Sequence, residues 1–84
     1  MKNNEIVKIF REISYLIQIE EEDPDTIYKV RAYEKAADVI ENLSMSIEEI
    51  YLNDGIPGLK KIPSIGNAIS TKLEELIRSN KISY

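Results

Sequence analysis

Apolar residues recur along the chain at spacings of three and four. Ile6, Phe10, Ile13, Leu16 and Ile17 form one stripe, widened by Val7 and Ile9, which predicts a first amphipathic helix over about residues 4–18 with Asn3 or Asn4 as its cap. The stretch Glu20-Glu21-Glu22-Asp23-Pro24-Asp25 breaks the stripe and predicts a loop, with Asp23 and Pro24 as the N-cap and first residue of the next helix. Ile27, Val30, Tyr33, Ala36, Ala37 and Ile40 mark that second helix to about Asn42, and its alanines allow close approach by another helix. Ser46-Ile47-Glu48-Glu49 has the spacing of a capping box, so a short third helix runs to about Leu52 and stops at Asn53-Asp54-Gly55. One further short helix fits between Pro57 and Ile62. A last one, carrying Ile69, Leu73, Leu76 and Ile77, runs from about Gly66 to Ser79. Nothing alternates with period two for long enough to make a strand. The expected fold is all-α, a compact bundle of about four to five short helices in one domain, residues 1–84.

The 84 residues contain no cysteine and no histidine, which removes disulfides, thiolate chemistry, Cys/His metal sites and histidine-based general-base catalysis. No apolar run reaches the roughly 20 residues of a membrane span, so no membrane partner is expected and the chain reads as cytoplasmic. The formal net charge of −4 argues at first against nucleic acid. Its distribution reverses that argument. Residues 1–56 hold six basic and thirteen acidic side chains, net −7, whereas residues 57–84 hold five basic and two acidic ones, net +3. Lys29, Arg31 and Lys35 also follow one another early in the second helix.

The basic end contains Lys60-Lys61-Ile62-Pro63-Ser64-Ile65-Gly66-Asn67-Ala68-Ile69. A short helix, a tight turn and a second helix starting near a glycine would leave backbone N–H groups of Ser64 to Ala68 pointing outward at a helix N-terminus, where phosphate binds. Gly66 would let a nucleic-acid backbone come close, Ile62 and Ile65 would pin the turn to the core, and the lysines would add charge without base specificity.

Ile62-Pro63-Ser64-Ile65-Gly66 resembles the helix-hairpin-helix family of sequence-independent DNA-binding motifs, with Ser64 in place of that family's first glycine. Together with Glu5 to Leu16, the Tyr28–Ile40 helix containing Arg31-Ala32-Tyr33-Glu34-Lys35-Ala36-Ala37, Ala68 to Ile77, and Lys81-Ile82, the chain looks like the N-terminal 8-kDa domain of family X DNA polymerases of the bacterial and archaeal branch. That resemblance implies binding of the phosphate backbone of gapped or nicked DNA near a 5′-phosphate. It also implies polymerase core domains in cis and a Na+ or K+ ion held by the backbone carbonyls of Lys60, Ile62 and Ile65; no other cofactor is implied. The DNA-binding set it suggests is Lys29, Arg31, Tyr33, Lys60, Lys61, Ser64, Ile65, Gly66, Asn67, Ala68 and Lys72.

In some family members a lysine at the position of Lys72 removes a 5′-deoxyribose phosphate through a Schiff base. Lys72 lies about 70° from the centre of the Ile65, Ile69, Leu73, Leu76 stripe, at the edge of the core. Ala68 stands where a phosphate-binding lysine is typical, and Tyr28 where a histidine is. A lyase and an acidic protein-interaction domain, docking through the first helix and the Glu20–Asp25 loop, are therefore the alternatives to simple DNA binding. By default Tyr33 is a core aromatic, its rival role a hydroxyl contact to phosphate or sugar; Tyr28, Tyr51 and Tyr84 are packing or surface residues. The metal-binding carboxylate cluster of a polymerase is absent from the sequence.

Overall fold

A computed structural model of the chain describes residues 1–20 and 23–79 and contains, among them, the helices α1 (Asn3–Glu20), α2 (Thr26–Glu41), α3 (Ile47–Lys60) and α4 (Asn67–Ser79) and no strand. The molecule is all-α, with four helices where four to five were expected. No helix among the described residues is long and apolar enough to cross a membrane.

α1 buries Ile6, Val7, Ile9, Phe10 and Ile13, the stripe set by their spacing. Its start differs from expectation. The first turn hangs on the Lys2 carbonyl, which accepts from Glu5 and Ile6, while the Asn3 side chain reaches across the molecule. Its Oδ1 accepts from the Ile47 amide at 2.9 Å and its Nδ2 donates to the Met45 carbonyl at 2.8 Å. Asn3 thus serves the first backbone donor of α3, a group with no intrahelical partner of its own.

α2 runs antiparallel to α1, since partners rise along one helix as they fall along the other. Arg11 bonds Glu41 at 2.8 Å and Asp38 at 3.3 Å, and Ser14 and Gln18 both donate to Glu34 at 3.2 and 3.5 Å. The α2 start departs from expectation: its N-cap is Asp25, whose side chain makes no capping bond, not Asp23, because Asp23 and Pro24 form a preceding turn in which the Asp23 carboxylate accepts from the Asp25 amide and its carbonyl from Thr26. That turn leads into a helix whose first assigned residue is Thr26 rather than Pro24, and Asn42 closes the far end.

α3 carries the expected break within it. Ser46 caps it by accepting from the Glu49 amide at 3.3 Å, and its first segment runs past Leu52 as far as Gly55. A second segment then reaches Lys60, where the short helix between Pro57 and Ile62 is expected, and the two abut at a kink without a loop between them. Gly55 interrupts it with φ 66° and ψ −156°, a conformation essentially restricted to glycine. Pro57 lies just past that kink, within the first turn of the second segment, where its missing N–H costs little.

α3 and α4 pack on one another, and α4 also touches α2. One cluster joins all four helices: Phe10, Ala36, Ala37, Ile40, Ile47, Leu59, Leu73 and Leu76 are buried in it. Ile62 and Ile65 belong to the same cluster, which fixes the turn between α3 and α4.

Candidate nucleic-acid interface

The turn is built from the inside out. The Lys61 amide bonds Gly58 and the Ile62 amide bonds Leu59, finishing α3; the Ile65 amide then bonds the Ile62 carbonyl at 3.1 Å. Pro63 is the second residue of this four-residue turn and Ser64, with φ 68°, the third. A proline followed by a residue of positive φ is the pattern of a type II turn, in which the third place favours glycine. Ser64 therefore holds a left-handed conformation that glycine adopts more readily, and keeps the turn in place at a local energetic cost.

α4 starts immediately afterwards. The Gly66 carbonyl accepts from Ser70 at 2.9 Å, and the hydroxyls of Ser70 and Thr71 both donate to the Asn67 carbonyl. The first backbone donors of any helix have no intrahelical acceptor, so the α4 terminus presents N–H groups and the positive dipole end beside the exposed residues Gly66, Asn67 and Ala68. Gly66 is not required by the protein itself. Its φ is not positive, and a Cβ built on it would meet nothing within 4 Å. The open space in front of it faces outward.

Lys60 and Lys61 are exposed directly before the turn. Lys72 has a side chain 23% exposed, and its Nζ lies 3.3 Å from Glu75 Oε2 on the same helix. Its nearest charge is thus a carboxylate, whereas lysine nucleophiles depend on desolvation or neighbouring cations. Position 68, one turn before it, carries no charge.

The α2 cations do not form one patch. Lys29 and Arg31, adjacent but for one residue in the sequence, project about 200° apart around a helix. Arg31 shares its side with Glu34 and Asp38, which face α1; Lys29 shares its side with Tyr33 and Ala36, three and four positions on being neighbours on a helix surface. The Tyr33 ring packs edge-on against Phe10 with centroids 5.2 Å apart, so its ring serves the core.

Sequence reasoning passed over two pairs. One is Lys72–Glu75, which the i, i+3 spacing does announce. The other joins the hairpin helices: the Tyr51 hydroxyl donates to Glu74 Oε2 at 2.7 Å. That hydrogen bond, helped by partial burial, holds the Tyr51 phenol above its ordinary pKa, with Arg78 opposing. No group of three or more Asp or Glu side chains that could hold a metal ion occurs among the described residues. Lys81, Ile82 and Tyr84, along with Glu21 and Glu22, lie outside those residues.

Comparison with curated proteins and with solved structures gives no significant match. Helix-hairpin-helix domains generally bind DNA. Comparison with family models matches residues 1–82 to the helix-hairpin-helix domain, and with nearly the whole chain covered, the protein belongs to that family.

Proposed function

We infer that the chain is a sequence-independent DNA-binding domain of a family X DNA polymerase-like repair protein. It engages the phosphate backbone of gapped or nicked DNA near a 5′-phosphate, with polymerase core domains in cis. The observation that carries this reading is Gly66, a glycine that neither conformation nor packing demands, exposed at the donor-rich start of α4. A phosphate can approach the amides of Gly66, Asn67 and Ala68 there without meeting a side chain on Gly66, whereas the amide of the buried Ile65 is already given to the Ile62 carbonyl. Lys60 and Lys61 supply charge alongside, and Lys29 and Arg31, both exposed on α2, are the further cations of the set.

The carbonyls of Lys60, Ile62 and Ile65 fit a Na+ or K+ ion by donor chemistry. Lys60 ends α3, where last-turn carbonyls lack intrahelical donors, and the Ile62 carbonyl keeps a lone pair beyond its bond to Ile65. Such an ion would offset the charge of a phosphate facing the turn.

Fluorescence anisotropy with a 5′-phosphorylated, singly gapped duplex tests the proposal. Binding is expected at low salt, with log affinity falling by roughly 0.9 per neutralised phosphate per decade of salt. Gly66→Leu should weaken binding about tenfold while leaving the urea midpoint unchanged, since the side chain enters open solvent. No binding at low salt, or undiminished binding by Gly66→Leu, overturns the proposal.

A further inference from the structure

The basic end of the chain, residues 57–84, holds two acidic side chains, Glu74 and Glu75. They are neighbours on α4 and do different things. Glu74 accepts from the Tyr51 hydroxyl at 2.7 Å and so ties α4 to α3. Glu75 places its Oε2 3.3 Å from the Lys72 Nζ, within α4 itself. Both side chains of this second pair reach solvent, 23% exposed for Lys72 and 44% for Glu75, and exposed pairs of this kind add little to stability. The weight of the pair therefore falls on what Lys72 can do for a ligand.

Lys72 lies between two places that can use its charge. Toward the start of α4, Ala68 is one turn away on the same side of the helix, next to the amides of Gly66 and Asn67. Helical side chains lean toward the N-terminus, and Ala68 presents only a methyl group along that route. Toward the other end is Glu75. Asn67 and Glu75 are separated by about 12 Å along the helix axis, so the single Lys72 ammonium serves one place or the other. Paired with Glu75, it adds no net charge to the phosphate-facing end. That end is then left with the amides, the helix dipole, Lys60 and Lys61.

We propose that Glu75 competes with DNA for Lys72: its carboxylate takes the place of phosphate when no DNA is bound, and the incoming 5′-phosphate draws the ammonium away from it. The proposal rests on the DNA-binding reading above and gives that site a built-in brake. Each phosphate contact of Lys72 is made at the expense of the bond to Glu75, so the lysine contributes less to affinity than its charge alone would give. The carboxylate also offers the ammonium a partner to return to as DNA leaves, which hastens dissociation.

Glu75→Gln keeps the size and helix preference of the side chain and removes its charge. Binding to the 5′-phosphorylated gapped duplex is measured by anisotropy at about 0.1 M salt, where the screening length of about 10 Å is shorter than the distance from Glu75 to the α4 terminus. The variant should bind about twofold more tightly than the parent, the factor an i, i+3 ion pair is worth, through slower dissociation and at an unchanged urea midpoint. In a Lys72→Ala background the same change should leave affinity level. Parent binding without a gain from Glu75→Gln overturns the proposal and leaves the DNA-binding reading standing. So does a gain that survives Lys72→Ala, which makes Glu75 a source of general repulsion, and so does a loss of affinity, which makes Glu75 a positioning residue for Lys72. Absence of parent binding at low salt overturns both readings.

Discussion

Replacing Ser64 by glycine should stabilise the domain, although glycine ordinarily weakens a fold. The Ser64 backbone sits at φ 68°, where a side chain crowds the following carbonyl. That conformation costs an L-residue roughly 1–2 kcal/mol, and glycine escapes the cost. Against this, glycine gives the unfolded chain extra freedom worth about 0.5–1 kcal/mol. Ser64 is exposed, so removing its side chain opens no cavity. The net gain is about 0.5–1 kcal/mol, or about 2–8 °C in melting temperature for a domain of this size. Urea unfolding followed by far-ultraviolet circular dichroism measures it, with Ser64→Val as the opposing control because a β-branched side chain tolerates this region worst. DNA affinity should stay level, since the backbone donors do not move. A Ser64→Gly midpoint equal to or below that of the parent, at unchanged slope, would refute the assignment of strain to this residue.

Gly55→Ala should do the reverse, costing about 2 kcal/mol, because φ 66° with ψ −156° admits essentially only glycine; a urea midpoint within error of the parent would contradict the kink. Above pH 10 the domain should lose stability that Tyr51→Phe does not lose. The Tyr51 pKa is raised in the folded state from an ordinary 10.0, so the Glu74 bond contributes fully below that value and disappears as pH rises through the folded pKa. Parallel pH–melting curves for the two proteins would remove that role. Borohydride treatment with a 5′-incised abasic duplex should trap no adduct through Lys72, whose nearest charge is the Glu75 carboxylate; an adduct lost on Lys72→Ala would restore the lyase assignment.

The helices that announce themselves in the sequence are those whose own residues supply the signal. α1 and α4 carry apolar stripes, and Ser46 lies three residues before the amide it caps. The hairpin turn is legible for the same reason, as five consecutive residues define it. The features that escape a reading of the sequence depend on partners distant along it. Asn3 looks like a cap for the helix it begins, but its amide is spent 42 and 44 residues away. Tyr51 meets Glu74 only because α3 and α4 are folded together. Gly55 correctly marks a break, yet the helical segments abut across it, since a single residue in an unusual conformation turns the axis without needing a loop.

The bond from Asn3 to the first amide of α3 bears on whether the hairpin can stand apart from the rest of the domain. The segment that carries the DNA-facing turn takes part of its N-terminal capping from the opposite end of the chain and shares its core with Phe10 and Ile6. A peptide cut to α3, the turn and α4 would leave that donor to water and the apolar faces of both helices bare. The hairpin is consequently not a separable recognition element but one edge of a single cooperative unit, and loosening the first turn of α1 should loosen the phosphate-facing turn with it.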